Sequence, residues 1–104
     1  MDNLLHITPA QSRMIWDCLG CASPDDIAAE ELAGFEHPAI SLAPLEVWTG
    51  LHGKIDNNTT LVSLSHAERQ AILMVLDVHI QDDDDLEFSG ATWADLEAVK
   101  ALMV

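Results

Sequence analysis

The stretch Ala71-Ile72-Leu73-Met74-Val75-Leu76-Asp77-Val78-His79-Ile80 decides the fold of this chain, because a helix with this sequence is apolar around most of its circumference. At about 100° per residue, its apolar positions cover roughly 260°, whereas an ordinary surface helix carries a stripe of about 100°. Such a helix must be covered on several sides. The pattern indicates either the central helix of a small bundle or a helix partly kept for a partner, and the rest of the chain favours some of both.

Capping signals around this stretch predict five helices. Ser65-His66-Ala67-Glu68 is a capping box that starts the long helix, and Thr8-Pro9-Ala10-Gln11 combines an N-cap hydroxyl with proline at the first helical position. Ser23-Pro24 repeats this signal, and Gly34 followed by Phe35 is typical of a helix C-terminus. The predicted helices are about 9–19, about 24–33, from Ser41 and Pro44 to about 55, about 66–81, and from Thr92 into the C-terminal residues.

Two short segments compete with this helical interpretation. Leu61-Val62 and Leu86-Glu87-Phe88 are compatible with extended backbone, but neither alternates long enough to predict a good strand. We find no internal repeat and no linker. The sequence therefore predicts an all-α fold, a single helical domain over 1–104 with about five helices around the long apolar helix at about 66–81.

The charge of the chain restricts its partners. Eighteen acidic residues face four basic ones, which gives a formal net charge of −14. Nucleic acid and anionic membrane are excluded as direct ligands, because both need lysine and arginine to neutralise phosphate. The composition allows a basic protein partner, or one that contacts apolar surface. Self-repulsion should also make the fold more stable as salt is added.

The N-terminal sequence and the hydropathy pattern predict a cytoplasmic protein. Met1-Asp2-Asn3-Leu4-Leu5-His6 lacks the basic and apolar regions of a secretory signal, and no apolar run approaches the length of a membrane span. Cys18 and Cys21 are too few and too close for a disulfide framework.

Cys18-Leu19-Gly20-Cys21, preceded by Trp16, has a passing likeness to a thioredoxin active site. The predicted helix ends at these cysteines, where the helix dipole raises a thiol pKa, and no βαβ pattern surrounds them. Cys18 also shares the apolar arc of its helix. We expect structural cysteines rather than redox chemistry.

Candidate metal ligands do not converge, so we expect no metal and no cofactor. His37 and His52 lie too far from the cysteines and from each other for a finger-like zinc site. The segment 56–60 has oxygen side chains at the first three ligand positions of an EF-hand loop, but Leu61 stands where the turn glycine belongs. The acidic run 82–85 is expected mainly to end the long helix.

No nucleophile, phosphate-binding or dinucleotide motif is present, and no Ser/His/Asp set has a defensible spacing. We therefore expect that the protein is not an enzyme. The alternative is an enzyme with an unrecognised site.

The remaining hypothesis is a protein that acts by contacting another protein or itself as a homodimer. On the long helix, Met74 and Val78 flank one side and Leu73 the other, beyond what a core of this size covers. Trp16 lies off the apolar arc of its own helix, and exposed tryptophan is enriched at interface hot spots. Trp48 instead shares the core face of its helix. The predicted partner-binding residues are Trp16, Leu73, Met74 and Val78.

These features favour a small acidic regulator or inhibitor that docks an apolar helix face and blocks the assembly or activity of its partner. Such a protein is similar in kind to bacterial antiactivators that sequester transcription factors, for instance in quorum sensing, and to phage anti-CRISPR proteins, although no motif carries the likeness. The alternative is a nucleic-acid mimic, which the acid clusters at 25–36 and 77–97 would suit. Salt separates the two, because mimicry weakens steeply with ionic strength and apolar docking does not.

Overall fold

The computed structural model describes residues 4–56, 58–82 and 92–103, with only the backbone described at Cys21. The segment Leu86-Glu87-Phe88 and most of the acidic run lie outside the described residues, as does the side chain of Cys21. Within them, five α-helices account for most of the chain, and the predicted helical class is confirmed. The helices are α1 (Pro9–Leu19), α2 (Pro24–Leu32), α3 (Leu45–Lys54), α4 (His66–His79) and α5 (Trp93–Met103).

Two three-residue strands, which the sequence did not predict, join the N-terminus to the segment before α4. Strand β1 (Leu4–His6) pairs antiparallel with β2 (Leu61–Ser63), and Leu5 is the partner of Val62. Val62 is buried while Leu4 and Leu61 are exposed, so the ribbon covers the core with one face. Three residues are too few to show alternation in the sequence, and the partner strand is far away along the chain, which explains why the prediction missed the pair.

The capping signals set three of the helix starts as predicted. At the last of them the Thr92 N–H donates to the Asp95 carboxylate at 3.0 Å, while the Asp95 N–H donates to the Thr92 hydroxyl at 3.3 Å. The Thr8 hydroxyl accepts from the Gln11 N–H at 3.1 Å, and the Gln11 side chain accepts from the Thr8 N–H at 2.9 Å. Ser65 and Glu68 form the same reciprocal pair at the start of α4. Ser23 differs, because its side chain makes no capping hydrogen bond to α2.

The core lies between α1, α3, α4 and α5, with α2 packed against α3. Trp48 is fully buried at its centre, and its indole N–H donates to the carbonyl oxygens of Ala39 and Ala43, both at 3.0 Å. These carbonyls belong to the 3₁₀ turn Pro38–Ser41 and the residues that follow it, where the sequence predicted the start of the third helix. The turn therefore serves to close the core over Trp48, and α3 begins only at Leu45.

In the part of the chain that the structure describes, no helix is both long enough and apolar enough to cross a membrane.

Candidate functional site

Helix α4 buries one side and leaves an apolar flank open. Its fully or nearly fully buried apolar residues are Ala71, Ile72, Val75 and Leu76. Met74 is 43% exposed and Val78 61% exposed, and these two residues, four apart, lie on one face of the helix. Leu73 is partly buried and packs against the core. Of the three α4 residues predicted to bind a partner, Met74 and Val78 are therefore the more accessible.

An apolar groove adjoins this flank. It has a volume of about 340 Å³, and Val78 and Val75 of α4 form one wall. The opposite wall comes from the turn between α2 and α3 and from Ala22, at the end of the 3₁₀ turn that follows α1. The remaining lining residues are Pro38, Ala39, Ser41, Leu42 and His79. The groove could accept a few apolar side chains of another molecule next to Val78.

Trp16 lies at a different place on the surface. It is 44% exposed and lines a second groove of about 280 Å³ with Asp17, Gly20, Ser23 and His52. This groove shares no lining residue with the one beside Val78. The His52 side chain contacts the C-terminal end of α1, because its Nε2 lies 2.9 Å from the Leu19 carbonyl oxygen. The structure therefore does not bring Trp16 into the groove of the α4 flank.

The oxygen-rich segment after α3 is a satisfied turn. The Asp56 carboxylate accepts hydrogen bonds from the Asn58 N–H and the Thr59 hydroxyl, both at 2.9 Å, and these bonds lower the pKa of Asp56 below its usual range. The buried Ser12 hydroxyl ties this turn to α1 by donating to the Asp56 carbonyl at 2.5 Å and accepting from the Thr59 N–H at 3.0 Å. The side-chain oxygens of Asp56 and Thr59 are thus directed into the turn itself.

No group of three or more metal-ligating side chains comes together among residues 4–56, 58–82 and 92–103. Cys18 is 1% exposed and belongs to the hydrophobic core, as its predicted position on the apolar face of α1 requires.

Glu68 is the one acidic side chain that is buried among the described residues, and it joins α4 to α3. Its Oε1 accepts from the Lys54 ammonium at 2.7 Å and from the Ser65 N–H at 2.9 Å. Burial by itself raises the pKa of Glu68, but the hydrogen bonds from Lys54 and Ser65 outweigh burial and the pKa falls below 4.5. The second carboxylate oxygen, Oε2, lies next to Gly50 of α3, because a Cβ added at Gly50 would be 3.1 Å from it.

Leu32 and Phe35 are functional candidates that the sequence reasoning did not single out. They are 90% and 70% exposed, the two highest values among the large apolar residues described. A signal was available: in α2, Leu32 lies on the side of the helix opposite Ile27, the only residue of α2 that is fully buried.

No protein-family model matches this chain, and comparisons with curated proteins and with solved structures give no match. Any functional proposal rests on the geometry of this chain alone.

Proposed function

We propose that this protein acts by binding another protein through the α4 flank, defined as Met74 and Val78 with the adjoining groove. The observation that supports the proposal most directly is that the exposed Val78 lines an apolar groove of about 340 Å³ and shares its helix face with the exposed Met74. Exposed apolar side chains next to an apolar groove suit contact with another apolar surface. Such contact would remove the side chains of Met74 and Val78 from water.

The core of the monomer does not need these side chains. Ile72 and Leu76 are completely buried and Val75 is 3% exposed, so one side of α4 is anchored without Met74 or Val78. Apolar side chains that are not needed for folding cost solubility when they are left open, and clusters of them mark interaction sites. This separation of anchoring and open residues supports a binding role for the flank.

The proposed role is that of a small acidic regulator or inhibitor whose docking blocks the assembly or activity of its partner, of the antiactivator or anti-defence type. The partner is either a different protein or a second copy of the chain. A homodimer would place two chains of net charge −14 against each other, so its stability should increase with salt.

A nucleic-acid mimic is the second candidate. The observation that favours it is the exposure of all five carboxylates of the cluster at 25–36, with Asp25 and Asp26 in the first turn of α2. Four basic side chains cannot neutralise eighteen acids, and Lys54 and Lys100 are already engaged with Glu68 and Asp77. A mimic would bind a basic groove, and its affinity would fall steeply as salt is raised.

The test is to place a charge on the flank. Met74→Asp and Val78→Asp should abolish association, because a carboxylate desolvated at the centre of an interface costs several kcal/mol, on the order of 3–5. The helical circular dichroism and the cooperativity of melting should stay largely unchanged. Sedimentation velocity measures self-association, and quantitative pull-down from the host extract, followed by mass spectrometry, measures binding to another protein.

Ala98→Asp is the matched control, since it adds the same charge to an exposed position of α5. It should leave association intact. Unfolding of either α4 variant would show that these residues belong to the core and that the interface lies elsewhere. Folded variants that still associate would make the acidic surface the leading candidate.

A further inference from the structure

Helix α2 carries an apolar face that no other part of the described chain covers. Ile27 anchors the helix to the core, and every residue from Ala29 to Glu36 is exposed. The stripe on the side away from Ile27 begins at Ala29. Leu32 and Ala33 belong to it, because they follow Ala29 by three and four residues and therefore lie on the same helix face. Phe35 extends this stripe just beyond the helix.

The backbone holds Leu32 and Phe35 in fixed positions. Gly34 has a φ of 87°, its N–H donates to the Glu31 carbonyl at 3.1 Å, and the Phe35 N–H donates to the Glu30 carbonyl at 2.9 Å. These bonds form a Schellman motif. In such motifs the residue at the position of Phe35 frequently packs against an apolar residue at the position of Glu30 or Ala29. Here Glu30 is a carboxylate and Ala29 is a small side chain, and Phe35 is 70% exposed.

Carboxylates surround the stripe, and no basic side chain lies near it in the sequence. Asp25, Asp26, Glu30, Glu31 and Glu36 are all exposed, and residues 14–53 contain no lysine or arginine. A surface that combines an apolar stripe with such an excess of negative charge is complementary to a surface with an apolar stripe and flanking positive charge.

We propose that the outward face of α2 docks a basic amphipathic helix of a partner protein, with Leu32 and Phe35 as its apolar contacts and the surrounding carboxylates as its charge complement. A helix fits because the α2 stripe has helical spacing, so apolar residues three and four apart on the partner can pack along it. A second copy of this chain does not fit, since it would bring two sets of five carboxylates together. This surface shares no residue with the α4 flank, so the two proposals can fail separately.

A synthetic peptide of about 18 residues, built from leucine and lysine in an amphipathic helical pattern, is the probe. Calorimetric titration of the intact protein should show binding that weakens about tenfold or more between 50 and 500 mM NaCl, since exposed charges are screened. Two control peptides are a scrambled version of the same composition and a leucine/glutamate version of the same pattern. Both should bind at least about tenfold more weakly, because one lacks the apolar stripe and the other lacks the positive charge.

Variants of the protein assign the site. Leu32→Ser with Phe35→Ser should weaken the leucine/lysine peptide at least about tenfold, as expected when the central apolar contacts of an interface are lost. Glu30→Gln with Glu31→Gln should weaken it several-fold and reduce the salt dependence. Met74→Ser with Val78→Ser leaves the charge unchanged and should leave peptide binding unchanged. Because Leu32 and Phe35 are exposed, their variants should keep the wild-type melting temperature, which is measured in parallel.

Three outcomes would overturn the proposal. Equal binding of the scrambled peptide would show attraction by charge alone. Unchanged binding by the Leu32/Phe35 variant would place the site elsewhere, for example on the α4 flank if the Met74/Val78 variant is the one that weakens. Dimerisation of the free protein that is lost in the Leu32/Phe35 variant, without peptide binding by the wild type, would assign this face to a second copy of the chain.

Discussion

Helices α4 and α2 contrast in how their sequences relate to their burial. The sequence of α4 is apolar around most of its circumference, yet the structure buries only one side of it and leaves Met74 and Val78 open. The sequence of α2 contains four acids in nine residues, yet the apolar side chain of Leu32 is 90% exposed on the same helix. Burial is therefore decided by the neighbours that a helix finds. Helix α4 contacts α1, α3 and α5, whereas α2 packs mainly against α3.

The difference also separates two kinds of open apolar surface. The α4 flank adjoins a groove, and its helix is anchored by several buried residues. The α2 stripe lies among carboxylates on a helix whose one fully buried residue is Ile27. The first surface suits a partner recognised by shape and apolar contact. The second suits a partner that brings positive charge as well.

The largest expected effect comes from the same substitution made in both helices. Leu76→Ala should lower the free energy of unfolding by about 2–5 kcal/mol, because Leu76 is completely buried and its loss leaves a cavity. Leu32→Ala should change it by less than about 0.5 kcal/mol, since an exposed side chain has little packing to lose. Urea unfolding followed by circular dichroism measures both.

Ile72→Val is a milder variant for the case in which Leu76→Ala does not fold, and it should cost about 0.5–1.5 kcal/mol. A cost above about 1.5 kcal/mol for Leu32→Ala would contradict the contrast, because it would mean that Leu32 packs against part of the folded molecule.

The contrast also explains what the sequence could and could not predict. Helix starts were predictable because capping is local, and the pairs Thr8–Gln11 and Ser65–Glu68 lie within four residues. The buried Trp48 was predictable from helical periodicity. The sheet was not, since β1 and β2 pair across most of the chain. The open α2 stripe was missed because periodicity identifies an apolar face without showing whether another element covers it.

The candidate site follows the same division. Met74 and Val78 could be predicted because α4 has more apolar residues than a core of this size can cover, and both side chains are exposed in the structure. The groove beside them could not be predicted, because its second wall comes from Pro38, Ala39 and Leu42, which reach α4 only in the folded chain. Trp16 was identified from its helical position, but its separation from the α4 groove depends on how α1 packs against α3 and α4.

A second test concerns the buried contact that α4 has and α2 lacks, the Lys54–Glu68 ion pair. Glu68→Gln should lower the free energy of unfolding at pH 7 by about 1–2 kcal/mol, at the low end for a charged hydrogen bond because the Lys54 side chain is 43% exposed. The folded state lowers the pKa of Glu68 below its ordinary 4.5. The ionised carboxylate therefore stabilises the fold above about pH 5, and this contribution is lost as pH falls through the folded-state pKa.

The difference in unfolding free energy between wild type and Glu68→Gln should therefore be constant near neutral pH and shrink below about pH 4.5. Taking this difference cancels the titration of the other carboxylates. Glu30→Gln, the same exchange at an exposed position of α2 beyond its first turn, is the control and should change the free energy of unfolding at pH 7 by less than about 0.5 kcal/mol. A gap for Glu68→Gln that widens on acidification would contradict the lowered pKa.

The smallest effect comes from two glycines of α3 that face different surroundings. Gly53→Ala should raise the free energy of unfolding by about 0.5–1 kcal/mol, because alanine favours the helix and nothing lies within 4 Å of the new Cβ. Gly50→Ala makes the same gain in helix propensity, but its Cβ would lie 3.1 Å from Oε2 of Glu68. Lys54 and Ser65 hold that carboxylate through Oε1, so it cannot move aside without lengthening their bonds. The net effect of Gly50→Ala should be near zero or slightly unfavourable.

Removing the carboxylate distinguishes this explanation from a difference in helix position. In a Glu68→Ala background the new Cβ at Gly50 has no oxygen to meet, so Gly50→Ala should stabilise the protein about as much as Gly53→Ala does. The coupling between positions 50 and 68 in such a double-mutant cycle should be about 0.5–1 kcal/mol. Equal effects of the two glycine substitutions in the wild-type background would instead show that the carboxylate does not rest against Gly50. Helix α4 would then be held to α3 less closely than the structure indicates, and the difference in packing between α4 and α2 would be smaller.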